Sequence, residues 1–431
     1  MKNFYHVLLN TLIANVTTSY LWFALTFWVY LETKSVLATG IIGGAYMLLV
    51  AIFSIIFGTI VDHNKKKRVM VFSAVFTLVL FSLGGLVYYL FDKSQLLDWT
   101  GPVFWLFTMI ILVGGVVENM RNIALSTVVT LLVPKNTHDK ANGMVGMVQG
   151  VAFMVTSVFS GLSVGLLGMG WTLVIAIVLT AVAAAHILFV RIPEKDIYHD
   201  PALEGKKIDL RGSIAAIRAV PGLVWLIIFS TFNNLVGGVF MALMDPYGLT
   251  LFPVEIWGIV LGVTSAGFIV GGMLVAKKGL GKNPIKTMLL VNIGVALLGG
   301  LFTIREWWWL YVVGIFLFMA LMPAAEAAEQ TIIQRVVPLK RQGRVFGLAQ
   351  AVESASSPIT AFIVAPIAQF IIIPFMRSNT GTQVFGWLLG SGQARGIALV
   401  FLIASLIMLV VVLFAFKTRA YRQLSDSYQK A

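Results

Sequence analysis

Five charged residues lie inside apolar stretches that are long enough to form helices: Glu118, Arg121, Glu326, Glu329 and Glu353. A charged side chain in the middle of a bilayer costs about 3 kcal/mol or more, so such residues usually face an interior path rather than lipid. A carboxylate there can take up a proton, and an arginine can hold a carboxylate. The sequence therefore predicts a water-accessible path for a solute through an apolar protein.

The composition is that of a membrane protein rather than a soluble one. Of the 431 residues, 59% are hydrophobic and 11% are charged, whereas a soluble domain carries about 25% charged residues. Strand-length alternation of polar and apolar residues is absent, which disfavours a barrel. The sequence contains no cysteine, which excludes disulfides, thiolate metal sites and cysteine nucleophiles.

Twelve apolar segments are long enough to cross a bilayer, which requires about 20 residues per helix. The tight turn at 168–170 separates the fifth segment from the sixth, and the polar segment 192–219 separates the first six from the last six. We expect transmembrane helices at 5–31, 36–62, 68–92, 101–132, 140–168, 170–191, 221–247, 253–276, 284–303, 306–333, 343–375 and 394–417.

The distribution of basic residues predicts the orientation of these helices. The loops on one side, together with both termini, hold 25 of the 31 Lys and Arg residues, whereas five lie on the other side and Arg121 is within a span. Because basic loops stay in the cytoplasm, we expect both termini there, in a bacterial inner membrane and with the first span retained. Topology thus accounts for the net charge of +13, and no nucleic-acid partner is expected.

Two short patterns recur at corresponding places in both halves. A Val-Pro pair followed by a glycine nine residues after the proline occurs at 133–143 and at 337–347. Gly58 and Gly272 occupy matching places near the ends of the second and eighth spans, each before a basic loop. Two related six-helix halves are typical of secondary transporters.

We therefore predict an all-α polytopic membrane protein with twelve transmembrane helices in two pseudo-symmetric six-helix bundles. The expected organisation is an N-terminal bundle, a cytoplasmic linker with a short interfacial helix near 208–217, a C-terminal bundle and a cytoplasmic tail. These parts correspond to residues 1–191, 192–220, 221–417 and 418–431.

The segment 58–68 is the strongest local motif, with the sequence Gly-Thr-Ile-Val-Asp-His-Asn-Lys-Lys-Lys-Arg. Asp62 ends the second span and is expected to bind a helix N-terminus or a base, forming a gating latch with Gly58, Lys66 and Lys67. The alternative is a topology anchor alone. In the second half Ala276 stands where an acid would be, so the latch is predicted to be asymmetric.

This motif resembles the loop 2–3 motif of the major facilitator superfamily, Gly-x-x-x-Asp followed by Arg or Lys, although Lys65 replaces its usual glycine. The twelve spans, the six-plus-six repeat and the central loop also resemble that superfamily. Segments 133–143, 334–347 and 385–396 are similar to those of its macrolide-efflux and enterobactin-exporter branch. The resemblance implies the major facilitator fold and proton-driven export of amphipathic compounds. The Gly-Pro motif of many drug antiporters is missing from the fifth span.

Glu118 and Arg121 are three residues apart on one face of the fourth span. Protonation of Glu118 would free Arg121, which could couple a proton to a conformational change or to a charge on the substrate. Families of the kind described above often carry an arginine on this span, which Arg121 resembles. The alternative is a static ion pair.

Glu326 and Glu329 share a face of the tenth span, and two neighbouring acids hold a proton more tightly than one alone. We predict that they take part in proton coupling together with Glu118 and Arg121. The alternative is a gate network that includes Arg335 and Arg344. Glu353, on the eleventh span, is expected to join the gate, either beside these acids or near Asp62.

Polar and aromatic side chains on the first, fourth and seventh spans are predicted to line a substrate cavity. The alternative is that such residues tie helices together. The predicted cavity residues are Asn10, Asn15, Trp22, Asn122, Asn233 and Asn234.

The sequence contains no Walker loop, and its five histidines lack metal-ligand spacing. We therefore expect a secondary transporter without cofactors, a monomer whose partners are a small-molecule substrate, protons and the bilayer. The expected function is proton-coupled efflux of amphipathic or drug-like molecules by alternating access. The alternatives are a transporter of one metabolite, such as a siderophore, a lipid or a nutrient, and a polytopic membrane enzyme.

Overall fold

The computed structural model describes residues 2–33, 36–194, 210–390 and 393–430, and their regular structure is helical. A 3-10 turn at Lys135–Thr137 precedes α6, and a π-helical turn at Ala368–Ile372 follows α12. The α-helices are α1 Lys2–Thr33, α2 Val36–His63, α3 Lys66–Leu90, α4 Lys93–Leu97, α5 Pro102–Leu132, α6 His138–Phe189, α7 Leu210–Arg218, α8 Leu223–Leu251, α9 Val254–Lys278, α10 Pro284–Leu301, α11 Trp308–Val336, α12 Leu339–Ile367, α13 Ile373–Arg377, α14 Asn379–Leu389, α15 Gln393–Lys417 and α16 Arg419–Lys430.

Ten of the described helices are long and apolar enough to cross a membrane, namely α1, α2, α3, α5, α6, α8, α9, α10, α11 and α15. Helix α6 covers both the fifth and the sixth predicted spans. Its backbone leaves the helical conformation at Gly168, where φ is 78° and ψ is 170°, a conformation that glycine adopts without the clash of a Cβ. Helix α12 lies where the eleventh span was predicted. The all-α polytopic fold is therefore confirmed, and twelve spans fit it.

Local sequence signals explain several helix ends. Pro102 and Pro284 stand in the first turns of α5 and α10, where a missing N–H costs nothing. The side chain of Asn283 caps α10 by accepting a hydrogen bond from the N–H of Lys286 at 3.1 Å. Helix α9 ends at Gly279, whose φ of 73° belongs to the region that favours glycine.

The chain forms two compact units, and each of them is built from three separate segments of the sequence. The first unit is Met1–His138, Val151–Ala216 and Val337–Ala351, and the second is Asp139–Gly150, Ile217–Val336 and Val352–Ala431. The start of α6 thus belongs to the second unit and the start of α12 to the first. The domain limits at 191 and 221 remain a prediction.

Each unit has its own apolar core. In the first unit, the fully buried Leu21, Phe104 and Phe107 pack within one cluster. In the second unit, the rings of Phe240 and Phe401 stack at a centroid distance of 5.0 Å. These cores hold the helices that carry the intramembrane charges.

Two amphipathic helices lie outside the apolar spans. Helix α7 covers most of the stretch predicted to form an interfacial helix, and its place at a membrane surface remains a prediction. Helix α16 buries Leu424 and Tyr428. A Cβ on Gly222 would lie 2.8 Å from the Leu424 Cβ, so α16 is closely packed against the chain before α8.

Candidate functional site

Glu118 and Arg121 form a buried ion pair on α5, with 4% and 0% of their surfaces exposed. The Arg121 Nε lies 3.4 Å from the Glu118 Oε1. Arg121 also donates a hydrogen bond to the side chain of Asn10, and the Ser73 hydroxyl donates to the Glu118 Oε2 at 3.1 Å. The predicted pairing of the two charges is therefore present, and it connects α1, α3 and α5.

Asn10 does not have the position that the sequence predicted. It was expected to line a cavity, but it is fully buried, and its Nδ2 donates to the carbonyl of Ala183 at 2.8 Å. Its amide oxygen accepts from Arg121, and its amide nitrogen donates to α6. The reason is that a buried guanidinium requires acceptors, and the Asn10 amide oxygen is one of them.

Glu329 and Glu353 form a pair of carboxyl groups on α11 and α12 that share a hydrogen bond. A hydrogen bond between two carboxyl groups requires a proton on one of them, because two ionised carboxylates have none to donate. The Ser230 hydroxyl of α8 also hydrogen-bonds Glu329, and the Gln149 amide of α6 hydrogen-bonds Glu326. Of the two predicted positions for Glu353, the structure shows the one beside the acids.

Glu326, Glu329 and Glu353 are not sealed inside the protein. Glu326 is exposed on the second unit, and the other two are half-buried. Among the described residues, Glu326 hydrogen-bonds Gln149, and Glu329 hydrogen-bonds Ser230 and Glu353. We call Glu326, Glu329 and Glu353 the carboxylate cluster.

The predicted gate network of Arg335 and Arg344 is divided between two places. Arg335 lies over the ring of Tyr428 on α16, with its Cζ 4.6 Å from the ring centroid, whereas Arg344 binds Asp62. Burial raises the pKa of Tyr428 above its ordinary value, although Arg335 acts in the opposite direction. The ring therefore stays neutral and packs against the cation.

Asp62 joins α2 to the second turn of α12. Its Oδ1 accepts from the N–H of Gly343 at 2.7 Å, and its Oδ2 accepts from the N–H and the Nε of Arg344 at 3.1 and 2.9 Å. Asp62 is 0% exposed and Arg344 is 3% exposed. A carboxylate is favourable near the start of a helix because it lies at the positive end of the helix dipole, and here a guanidinium also binds it. We call this arrangement the α2–α12 clasp.

Glycines allow the two helices of the α2–α12 clasp to approach closely. A Cβ on Gly58 would lie 2.6 Å from the carbonyl oxygen of Gly343 and 3.1 Å from the Cα of Gly347. The surfaces therefore meet backbone to backbone, as small residues permit.

Lys66 and Lys67 do not bind the partners that a latch would require. Lys66 is fully buried, its Nζ lies 3.2 Å from the Glu194 Oε1, and its N–H donates to the Glu194 Oε2 at 2.7 Å. The Lys67 Nζ donates to the carbonyl of Leu188 at 2.7 Å. Both lysines are held by the end of α6 and the residues after it. A buried ammonium needs a carboxylate, and Glu194 provides it, whereas Asp62 is bound by Gly343 and Arg344.

A second clasp joins α6 to the end of α9. The Asp139 Oδ2 accepts from the N–H of Leu280 at 2.7 Å. A Cβ on Gly272 would lie 2.5 Å from the backbone nitrogen of Met147, and one on Gly143 would lie 2.6 Å from that of Ala276. We call this arrangement the α6–α9 clasp. Asp139 was not among the predicted site residues.

The remaining predicted cavity residues are spread over both units. Asn15, Asn122 and Asn233 are half-buried, and Asn234 is exposed, with its Nδ2 donating to the carbonyl of Ser230 at 3.1 Å. These positions stay predictions of a cavity.

Trp22 belongs to a polar and aromatic chain that the sequence did not reveal. Its ring lies 4.5 Å from that of Tyr46, whose hydroxyl accepts from Asn119 at 3.3 Å. Gln350 of α12 donates to the Asn119 side chain at 3.2 Å. The signal available in the sequence was Asn119 itself, beside Glu118 in an apolar span.

Arg395 at the start of α15 is a further buried cation, with 1% of its surface exposed. Its Nε lies 2.8 Å from the Glu306 Oε1, its Nη2 donates to the Tyr247 hydroxyl at 2.5 Å, and its Nη1 donates to the carbonyl of Thr303 at 2.9 Å. These bonds tie together α8, α15 and the turn between α10 and α11. In the sequence, the signal for this ion pair was Glu306, a single acid next to three tryptophans.

The sequence and the fold were compared with those of known proteins. The profile of the Major Facilitator Superfamily matches residues 7–361. Macrolide efflux protein A of Streptococcus pyogenes is 22% identical over 390 residues, which cover 88% of this chain and 93% of that protein. Among solved structures, a proton:xylose symporter bound to 6-bromo-6-deoxy-D-glucose has a TM-score of 0.70 and 11% identity, with 96% of each chain covered.

A bacterial homologue of the iron transporter ferroportin in an outward-facing state has a TM-score of 0.67 and 14% identity, with 97% of this chain and 100% of that chain covered. At such identities the structural likeness establishes the fold. The profile match covers most of the chain, and members of this family are transporters rather than enzymes. The chain therefore belongs to the major facilitator superfamily and is a multi-pass membrane transporter of small molecules.

Proposed function

We propose that this transporter exports amphipathic, drug-like molecules in exchange for protons by alternating access. The observation that supports the proposal is the close approach of the Glu329 and Glu353 carboxyl groups between α11 and α12, where a shared proton could be bound and released. The likeness to a macrolide efflux protein supports export of bulky amphipathic substrates. In the same proposal both termini are cytoplasmic, the membrane is a bacterial inner membrane and the transporter works as a monomer.

Loss of the shared proton has a direct electrostatic consequence. When Glu329 and Glu353 are both ionised, two like charges face each other at a half-buried site and repel. Their helices α11 and α12 must then separate, or a cation must enter. Protonation reverses the effect, which is the two-state behaviour that coupling requires.

The Glu118–Arg121 pair has a different role in this scheme. Its charges balance, and the polar groups of Ser73 and Asn10 complete its bonding. Protonation of Glu118 removes the charge that opposes Arg121 and leaves a buried cation. We propose that this pair responds to the proton, whereas the carboxylate cluster binds it first.

The test is drug transport in everted vesicles with an imposed pH gradient, compared with substrate exchange at equilibrium without a gradient. We expect Glu329→Gln to abolish gradient-driven transport and to retain exchange, because exchange needs no change of protonation. Glu118→Gln is expected to slow both. Glu32→Gln is the matched control, because Glu32 forms a surface pair with Lys93 at 3.0 Å and the same atoms change.

Gradient-driven transport by Glu329→Gln and Glu353→Gln at the rate of the parent would overturn the proton site. A substrate panel in the same vesicles tests the efflux proposal separately. Transport of several unrelated amphipathic cations supports drug export, and transport of a single nutrient or siderophore contradicts it.

A further inference from the structure

Trp22 of α1 and Tyr46 of α2 form an aromatic pair that is only half-buried. Their ring centroids are 4.5 Å apart, and the ring planes are inclined by 31°, which is closer to stacking than to an edge-on contact. Such a pair presents part of its ring surface to a neighbour. The direction in which the pair faces decides whether that neighbour is lipid or a ligand.

Tyr46 lies on the side of α2 that is opposite to its lipid-facing stripe. The exposed apolar residues Ile41, Leu48 and Ile52 fall on one face of the helix, as expected for a helix that contacts acyl chains. At 3.6 residues per turn, Tyr46 is about 140° from the centre of that face. Its ring therefore faces the interior of the helix bundle.

Trp22 has the same relation to α1. Leu9, Phe27 and Leu31 are exposed apolar residues of this helix, and Trp22 is about 150° around the helix from the centre of their stripe. The two helices thus turn these aromatic residues toward each other and away from the lipid. The accessible part of the pair belongs to the interior of the first unit.

A polar surface of the same unit adjoins the aromatic pair. The Tyr46 hydroxyl accepts from the Asn119 Nδ2 at 3.3 Å, and the Asn119 Oδ1 accepts from the Gln350 Nε2 at 3.2 Å. Asn119 and Gln350 are half-buried as well, and accessible amides are costly against hydrocarbon. A phenol that accepts a hydrogen bond keeps its own O–H to donate. Within the described ranges, no residue accepts that hydrogen.

Open space lies on the same face of α2, one turn from Tyr46. A Cβ on Gly43 would have no described atom within 4 Å, and residues three apart lie on one face of a helix. On the other side of the ring, a Cβ on Gly115 would lie 3.5 Å from the Tyr46 Cε2. Helix α5 therefore closes the surface on one side, and the side near Gly43 is left open.

We propose that this surface binds an uncharged ring of the transported amphipathic molecule. The ring stacks on Trp22, and a carbonyl or ether oxygen next to it accepts from the Tyr46 hydroxyl. Asn119 and Gln350 are positioning residues, because they hold that hydroxyl in place. All four side chains are uncharged, so they replace the hydration of a neutral acceptor better than that of an ion. The inference rests on the proposed function and names the part of the substrate that the first unit recognises.

Scintillation-proximity binding to the purified protein in nanodiscs tests the site, with empty nanodiscs subtracted. The probes are tritiated coumarin, whose ring carbonyl can accept a hydrogen bond, and tritiated naphthalene, which has two rings alone. We expect saturable binding of both by the parent. Tyr46→Phe should weaken coumarin binding about fivefold and change naphthalene binding by less than about twofold. Trp22→Leu should weaken the binding of both probes about tenfold, because stacking is lost.

Two matched controls accompany these variants. Tyr20→Phe removes the same atom from a buried tyrosine of α1 whose hydroxyl donates to Ser163, and it should leave both probes unaffected. Gly43→Leu fills the open space without changing the aromatic pair, and it should weaken both probes at least about tenfold. Gly161→Leu is its control, because a Cβ on Gly161 also has no described atom within 4 Å.

Several outcomes would overturn the proposal. Equal weakening of the two probes by Tyr46→Phe, or an equal loss of coumarin binding in Tyr20→Phe, would contradict the hydrogen bond to the substrate. Unchanged binding in Trp22→Leu and Gly43→Leu would contradict the site itself.

The binding assay is independent of proton coupling, because it uses one pH and no gradient. A parent that binds both probes but shows no gradient-driven transport would contradict the proposed function and leave the site standing. A parent that transports drugs but binds neither probe would contradict the site alone.

Discussion

The two clasps hold equivalent helices by opposite arrangements of charge. In the α2–α12 clasp the acid, Asp62, is at the end of α2, and the donors belong to the second turn of α12. In the α6–α9 clasp the acid, Asp139, is in the first turn of α6, and the donor is the N–H of Leu280 after α9. Both keep glycine contacts between the paired helices.

Close packing at glycines is therefore common to both clasps, whereas the arrangement of the hydrogen-bonded acid differs between them. Asp62 is fully buried and has a guanidinium among its donors, so its bonds are charge-assisted and desolvated. Asp139 is half-buried and accepts from the Leu280 N–H. We therefore expect the α2–α12 clasp to be the stronger of the two.

The largest effect is expected for Asp62→Asn. Loss of one partner from a buried charged pair costs about 3 kcal/mol, which corresponds to about a 100-fold shift toward the separated helices. The sequence has no cysteine, so the thiol of Ser54→Cys, a buried position beside Gly347, reports separation by its rate of maleimide labelling. Equal labelling with and without Asp62→Asn would contradict the clasp.

A smaller effect is expected for Gly58→Ala. The added Cβ would meet the Gly343 carbonyl oxygen at 2.6 Å, and overpacking against backbone costs about 2 kcal/mol. Labelling at the same reporter should rise about 30-fold. Gly161→Ala is the matched control because a Cβ there has nothing within 4 Å. A similar rise in labelling for Gly161→Ala would show that the close contact at Gly58 is not the cause.

A still smaller effect is expected for Asp139→Gly, which removes the bond to Leu280. A hydrogen bond of this kind contributes about 1 kcal/mol, so labelling of a Val275→Cys reporter should rise about fivefold. A rise as large as that for Asp62→Asn would show that the clasps are equally strong and would refute the comparison.

The smallest net effect is expected when the charge arrangement of the second clasp is converted to that of the first. Ala276 stands four residues after Gly272, as Asp62 does after Gly58, and Lys140 precedes Gly143 as Arg344 precedes Gly347. Asp139→Gly together with Ala276→Asp therefore places an acid against the first turn of α6. Val275→Cys labelling should return to within about twofold of the parent. Labelling faster than that of Asp139→Gly alone would show that Ala276 and Asp62 are not equivalent positions.

Sequence reasoning predicted the helices well because apolar length and basic loops are local signals. The helix ends at 63, 132 and 417 lie within one residue of the predicted limits. It also predicted that Asp62 binds a helix N-terminus or a base, and Asp62 binds backbone N–H groups near the start of α12 and the Arg344 guanidinium. Asn10 is buried against Arg121 rather than lining a cavity, and Lys66 binds Glu194 rather than a group of the latch, because folding decides which partner lies near a buried polar group.

Asp139 was missed for a related reason. An acid beside a lysine at the start of a helix is common as a solvated residue, and only the approach of α9 gives it the N–H of Leu280. The hydrogen bond of Glu329 to Glu353 likewise depends on the distance between α11 and α12. Spacing along one helix predicted Glu326 and Glu329 on one face, but it could not choose the partner from another helix.

Helix α16, the last of the described helices, contributes side-chain contacts to the second unit. Its Tyr428 covers Arg335 of α11, and its Ser425 accepts from Asn283 at 2.8 Å, close to the turn that bonds Asp139. Versions of the protein that end before Arg419 lose the contact of Tyr428 with Arg335 and the hydrogen bond of Ser425 with Asn283 in the α9–α10 turn. They would therefore represent the intact transporter poorly.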